Sequence, residues 1–151
     1  MLRIERFRCG ALALVLLCAP CLGFAQSCAN PIVIAPPETS VSGSTCSGTN
    51  YLSSVANGAI PSPGPQVIYR QPDLSAVAVS EFVSLQADPN SLSLYVCSSP
   101  CSTYASCFAV ADVGANGETV VNLTPPREAY LIVGSSNGSC SSYTLSISAP
   151  D

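Results

Sequence analysis

Three cysteines, Cys97, Cys101 and Cys107, lie within the stretch SLSLYVCSSPCSTYASCF, Ser91 to Phe108. Cys-x3-Cys-x5-Cys admits a metal site, a redox centre or covalent cross-links. Structural zinc takes four ligands, commonly from Cys-x2-Cys knuckles or mixed Cys and His sets. Here the spacing is unequal and the chain has no histidine. A fourth ligand would have to come from Cys28, Cys46 or Cys140 and would leave an odd pair behind. The Cys-x-x-Cys of dithiol redox centres is missing from residues 26–151. Cross-links are the expected use. Cys97 closes one β-like run and Cys107 opens the next, so a bond between them would close the loop 98–106 and leave Cys101 to reach another segment. Each such bond stabilises a fold by about 2–4 kcal/mol. Six cysteines permit about fifteen pairings, and the sequence does not choose among them.

The remaining side chains offer little chemistry. Without histidine the usual general base, the commonest metal ligand and the Ser-His and Cys-His pairs are all missing. The five basic residues are all arginine, so Ser-Lys and Schiff-base mechanisms are missing too. Asp112 and Glu118 flank a turn and form the one carboxylate pair placed for acid–base work on a sugar. Solvated turn acids explain them more simply. No EF-hand or Asp-x-Asp-x-Asp spacing occurs, and the carboxylates are scattered singly. The expectation is a protein that is not an enzyme, with no catalytic residues, no metal and no cofactor. Among sugar-stacking side chains, tryptophan is absent, and Tyr69, Tyr95, Tyr130 and Tyr143 fall inside β-like runs as packing residues. Tyr51 and Tyr104 sit in or near loops and are the ligand-contact candidates. Asn122 and Asn137 match the Asn-x-Ser/Thr acceptor pattern.

The frame that must position these residues begins with an export signal. MLRIERFR is basic, CGALALVLLCAPCLGF is apolar but interrupted by Pro20, and GFAQS offers small residues for cleavage after Ala25. The apolar run is shorter than the about 20 residues a membrane helix needs. Leu17 and Pro20 stand where a lipoprotein signal wants small residues before Cys18 or Cys21. Residues 1–25 are therefore read as a signal peptide and residues 26–151 as one domain, secreted or periplasmic. Cys28, Cys46, Cys97, Cys101, Cys107 and Cys140 remain in it, an even set suited to an oxidising compartment. Two basic residues, Arg70 and Arg127, face eight acidic ones, a net charge of minus six. That balance argues against nucleic acid and against anionic membrane surfaces as partners.

Helix signals are scarce beyond residue 25, and short β-rich runs alternate with turn residues. QVIYR, AVAVSEFVSLQ, SLSLYV, CFAVADV, TVVNL, AYLIVGS and YTLSIS are strand candidates. In SLSLYV, Leu92, Leu94 and Val96 point one way and Ser91, Ser93 and Tyr95 the other. In YTLSIS, Tyr143, Leu145 and Ile147 share a face. Asn116-Gly117 and Asn137-Gly138 are hairpin-turn signals, in which both central residues would take positive φ. PIVIAP and NYLSSVANG are weaker strands, and GAIPSPGPQ reads as a loop. Eight or nine strands with turns every eight to twelve residues predict an all-β, antiparallel β-sandwich stapled by disulfides.

The order of these pieces resembles the bacterial pre-peptidase C-terminal domain, in particular its cysteine-containing, free-standing secreted branch. GPQVIYRQ (Gly64–Gln71), SLSLYVC (Ser91–Cys97) and AYLIVGSSNGSCSSYTLSISAP (Ala129–Pro150) carry the resemblance. It implies a jelly-roll-like sandwich with roles in surface or substrate association, secretion, or chaperoning of a neighbouring enzyme. Gln66 stands where the family often has Asp, and Ser91 or Ser93 where an Asp often opens the Leu-x-Leu-Tyr strand. A cation held by those carboxylates in relatives is therefore not expected here. The combined expectation is a non-catalytic module that binds an extracellular polysaccharide, a surface or a protein partner. The rival is a structural or inhibitory partner of a secreted peptidase, with Ser98–Ser106 as the inserting loop.

Overall fold

Alternation of apolar with polar residues gives each strand one face that must leave water, and two sheets meet over those faces. The computed structural model describes residues 29–34, 40–55, 60–72, 81–98, 107–123 and 128–148. In chain order the strands are β1 (Ile32–Val33), β2 (Ser40–Ser44), β3 (Ser54–Val55), β4 (Ile60–Pro61), β5 (Val67–Gln71) and β6 (Glu81–Ala87). There follow β7 (Ser93–Cys97), β8 (Cys107–Asp112), β9 (Glu118–Leu123), β10 (Ala129–Gly134) and β11 (Ser142–Ser148). A five-stranded sheet runs β1-β5-β10-β7-β8, and a four-stranded sheet runs β2-β11-β6-β9. The fold is the expected all-β sandwich, with disulfides joining Cys46 to Cys140 and Cys97 to Cys107.

Val67, Leu94, Leu131 and Val133 from one sheet pack on Val83, Leu85, Val121 and Leu145 from the other. Tyr69 and Tyr143 span the gap. Their rings meet edge to face with centroids 6.4 Å apart, and their hydroxyls hydrogen-bond at 2.8 Å. Burial, reinforced by that bond, pushes the Tyr143 hydroxyl far above its ordinary value. Opposite Tyr143 in the ladder stands Gly43, where a Cβ would lie 2.7 Å from the Tyr143 hydroxyl. Glycine makes room for the ring.

Three details differ from the sequence reading. First, β1 pairs with β5 in parallel, at the edge of an otherwise antiparallel sheet. Second, Ile60 and Pro61, inside the stretch read as a loop, pair with β3. Third, the turns at Asn116-Gly117 and Asn137-Gly138 have positive φ at the glycine alone; among the described residues the non-glycine with positive φ is Asn90. The asparagines act through their side chains instead: Asn116 Oδ1 accepts from the Glu118 amide, and Asn137 Oδ1 from the Ser139 amide.

The larger surprise is β7, which is buried on both faces. Ser93 and Tyr95, expected on the solvent side, are 2% and 0% exposed. The outer face of the five-stranded sheet carries a second apolar cluster, in which Leu52 packs with Ile68, Tyr95, Cys97 and Ile132. Gln66, fully buried, holds the covering segment down. Its Nε2 donates to the carbonyls of Leu52 and Ser62 and to the Ser62 hydroxyl, while its Oε1 accepts from the Leu52 amide. An aspartate at this position has no donor for those carbonyls, which is a physical reason for glutamine here. The five-stranded sheet is thus sealed over this region, and the open broad face belongs to the other sheet.

Candidate functional site

Period two decides what the four-stranded sheet shows to solvent. Because Val41, Val83, Leu85, Val121, Tyr143, Leu145 and Ile147 take the inner side, the residues between them must face out. Register then aligns them in rows. Ser40, Ser146, Ser84 and Val120 form one row across β2, β11, β6 and β9. Ser42, Thr144, Gln86 and Glu118 form the next. Ser148, Phe82 and Asn122 form a third across β11, β6 and β9. Neighbouring strands are about 4.8 Å apart, and side chains repeat about every 6.8 Å along a strand, so the hydroxyls and amides lie on a regular grid.

Cross-strand bonds order part of that grid, with Ser40 Oγ and Ser146 Oγ 3.0 Å apart and Ser42 Oγ and Thr144 Oγ1 3.2 Å apart. Phe82 is 37% exposed and Val120, diagonal to it, is 51% exposed, which gives the grid an apolar corner. Glu118 is the single carboxylate in the three rows, and no cation stands in them. A shallow groove lined by Ser42, Gln86, Asp88, Ser142 and Thr144 runs from the second row to the end of the sheet. The arrangement is flat, nearly uncharged, rich in hydroxyls and amides, and carries one aromatic ring. It suits hydrogen bonding and stacking. It has no nucleophile paired with a base.

At the same end the loops form a cavity of about 190 Å³, lined by residues 90–93, Asp112, Val113 and Ser136. The turn from Asp88 to Ser91 separates it from the groove. Asp88 anchors that turn, its Oδ2 accepting from the Ser141 hydroxyl and its carbonyl from the Ser91 hydroxyl. Thr45 and Ser141 bond to one another beside the Cys46–Cys140 disulfide, which ties the β10–β11 connection to the start of the domain.

The residues singled out from sequence scatter over this frame. Tyr51 is half-buried and packs against the second apolar cluster, on the sheet away from the hydroxyl grid. Tyr104, Cys101 and Cys28 lie outside the described residues. Cys97 and Cys107 are bonded to each other where β7 pairs with β8. Asp112 and Glu118 do not form a pair: Asp112 ends β8 in the five-stranded sheet and accepts from Ser93 at 2.6 Å, while Glu118 opens β9 in the other sheet. Asn137 spends its side chain on Ser135 and Ser139 of its own turn and on the Asn90 carbonyl of a neighbouring loop. Phe82 was not singled out from the sequence; its signal is an aromatic on the face of β6 that it shares with Ser84 and Gln86, opposite Val83 and Leu85. Among the described residues no group of three or more Cys, Asp or Glu is placed to hold a metal, and no helix is long and apolar enough to cross a membrane.

No family model matches the chain, and no curated protein matches it. Solved structures do. The fold is similar to the pre-peptidase C-terminal domain of a collagenase from Bacillus anthracis, at 18% identity and TM-score 0.45, over 79% of this chain and 95% of that one. It is also similar to PliG of Aeromonas hydrophila, a periplasmic inhibitor of g-type lysozyme, at 14% identity and TM-score 0.41, over 79% of this chain and 96% of that one.

Proposed function

We propose that the protein is an exported, non-catalytic β-sandwich module that binds a neutral, hydroxyl-rich extracellular polymer across the outer face of the four-stranded sheet. The carrying observation is the ordered grid of Ser, Thr, Asn and Gln side chains beside exposed Phe82. Sugars present ring faces that stack on an aromatic and hydroxyls that exchange hydrogen bonds with such a grid. The shortage of charge on the grid favours a neutral polymer over an anionic one. Two disulfides and the signal-like residues 1–25 support an oxidising, extracytoplasmic location. The lack of histidine and lysine supports binding without catalysis.

Retention on insoluble cellulose, chitin and xylan tests the reading. The expectation is binding to at least one of them, weakened about tenfold by Phe82→Ala, which corresponds to about 1.4 kcal/mol. Lack of retention on all three, or retention indifferent to Phe82→Ala, would overturn it. A second reading places a protein partner at the loop 98–106, supported by the Cys97–Cys107 bond that closes it. Its test is inhibition of secreted peptidases by the intact protein, lost on Tyr104→Ala.

A further inference from the structure

The end cavity is chemically distinct from the flat grid, and its lining narrows what it can hold. Leu92 and Val113 lie at its base, 2% and 1% exposed, with side chains that belong to the core between the sheets. Its wall is polar, with Asn90, Ser91, Ser136 and Asp112. No arginine lines it, so nothing there compensates a phosphate, sulfate or carboxylate, and anionic ligands are disfavoured. No aromatic lines it either, and about 190 Å³ is small for a drug-sized apolar ligand.

Asp112 sets the specificity. Ser93, itself 2% exposed, donates to Asp112 Oδ1 at 2.6 Å and fixes the carboxylate. Among the described residues Oδ2 makes no hydrogen bond, and a carboxylate so held accepts strongly from neutral O–H donors. Asn90 takes φ 55, a left-handed conformation in which its amide donates to the Val113 carbonyl at 3.2 Å while its carbonyl accepts from Asn137 Nδ2 at 3.2 Å. Those bonds join three loops around the cavity, so the site is held in shape before any ligand arrives.

From this lining we propose that the cavity binds one neutral pyranose unit, a chain end or side branch. Asp112 Oδ2 accepts from ring hydroxyls, and the Asn90 side-chain amide and the Ser136 hydroxyl bond to the others. The inference deepens the polysaccharide reading and rests on it for the polymer. The groove along Gln86 and Ser142 leads to the turn at Asp88, and the cavity opens beyond Asn90.

The test is an amide-resolved NMR titration of the full chain with methyl glucoside, methyl galactoside, methyl mannoside and N-acetylglucosamine, each to tens of millimolar. The expected result is saturable shifts at residues 90–93, 112–113 and 136 with at least one sugar. Asp112→Asn keeps an oxygen for Ser93 and is expected to weaken binding at least tenfold. Ser136→Tyr, at an exposed position, is expected to block it. Lack of saturable shifts at these residues with all four sugars, or binding indifferent to Asp112→Asn, would overturn the proposal. So would the same shifts on adding calcium chloride or ethylammonium alone, since Asp112 would then be serving a cation. Sugar shifts at the cavity together with failure of polymer retention would support the cavity and remove the sheet-face reading alone.

Discussion

Gln66 concentrates more of the fold in one side chain than its position in a Pro-rich stretch suggests. It is 0% exposed, and four hydrogen bonds run from its amide to Leu52 and Ser62. Gln66→Glu keeps the shape and removes both N–H donors. The carbonyls of Leu52 and Ser62 are then left in the interior without a donor, at about 1–3 kcal/mol each, so the variant loses about 2–6 kcal/mol at pH 7. The new carboxyl faces those carbonyls in a dry site, and both conditions favour its neutral form. Its folded-state pKa is therefore raised above the unfolded value of about 4.3. The sign follows from linkage: the protonated acid, which keeps one donor, gives the variant its best stability below about pH 4, and that stability falls as pH rises. Urea unfolding followed by circular dichroism at pH 4 and pH 7, for wild type, Gln66→Glu and Gln66→Met, measures this. Met removes the donors without adding a charge, so its loss should not change between the two pH values. Amide exchange at Leu52 and Ser62 should accelerate in both variants. A loss below about 1 kcal/mol at pH 7, or no difference between Glu and Met in their pH response, would refute the latch.

Other expectations follow from the same coordinates. Gly43→Ala drives a methyl into the Tyr143 hydroxyl and should cost about 1–3 kcal/mol, read as a lowered melting temperature. Tyr143 holds its proton through burial and the Tyr69 bond, so its contribution is present below the unfolded tyrosine value and is lost as pH rises above about 10. Tyr143→Phe should flatten the alkaline fall of the urea midpoint. The two disulfides among the described residues span 94 and 10 residues, so replacing Cys46 and Cys140 by Ala should cost about 2 kcal/mol more loop entropy than replacing Cys97 and Cys107. Glu128→Gln breaks an ion pair with Arg70 between two 41% exposed side chains, and should change stability by less than about 1 kcal/mol, with the difference vanishing in high salt.

The strands of the four-stranded sheet were the most legible part of the chain. β6 and β11 alternate strictly because one face is dry and the other wet, and Val83, Leu85, Tyr143 and Leu145 fell where period two put them. β7 misled for a physical reason. Ser93 and Tyr95 look like a solvent face, yet both are buried: a segment some forty residues earlier packs on Tyr95, and Ser93 bonds to Asp112. Local periodicity cannot report a cover supplied from elsewhere. The turn asparagines show the same limit on a smaller scale, since Asx bonding and a two-residue hairpin share the Asn-Gly signature.

The sequence by itself determined which side chains the protein has to work with: histidine and lysine are missing from it, and no folding can supply them. It also determined the all-β class and the opposition of Cys97 and Cys107 across a short loop. Only the tertiary structure decided which surface was left to work with. Gln66 and its carbonyl partners come together across fourteen residues of chain or fewer, but their effect is to hold a cover over Ile68, Tyr95 and Ile132 of the five-stranded sheet. Register between strands a hundred residues apart set Ser40 beside Ser146 and Ser42 beside Thr144, and turned scattered serines into ordered rows. Asp112, which the sequence reads as a solvated turn acid, lines a cavity with Asn90 and Ser136, in a different sheet from Glu118. Those juxtapositions depend on strand order and loop crossings, which hydrogen bonding between distant segments fixes and local residue pattern does not.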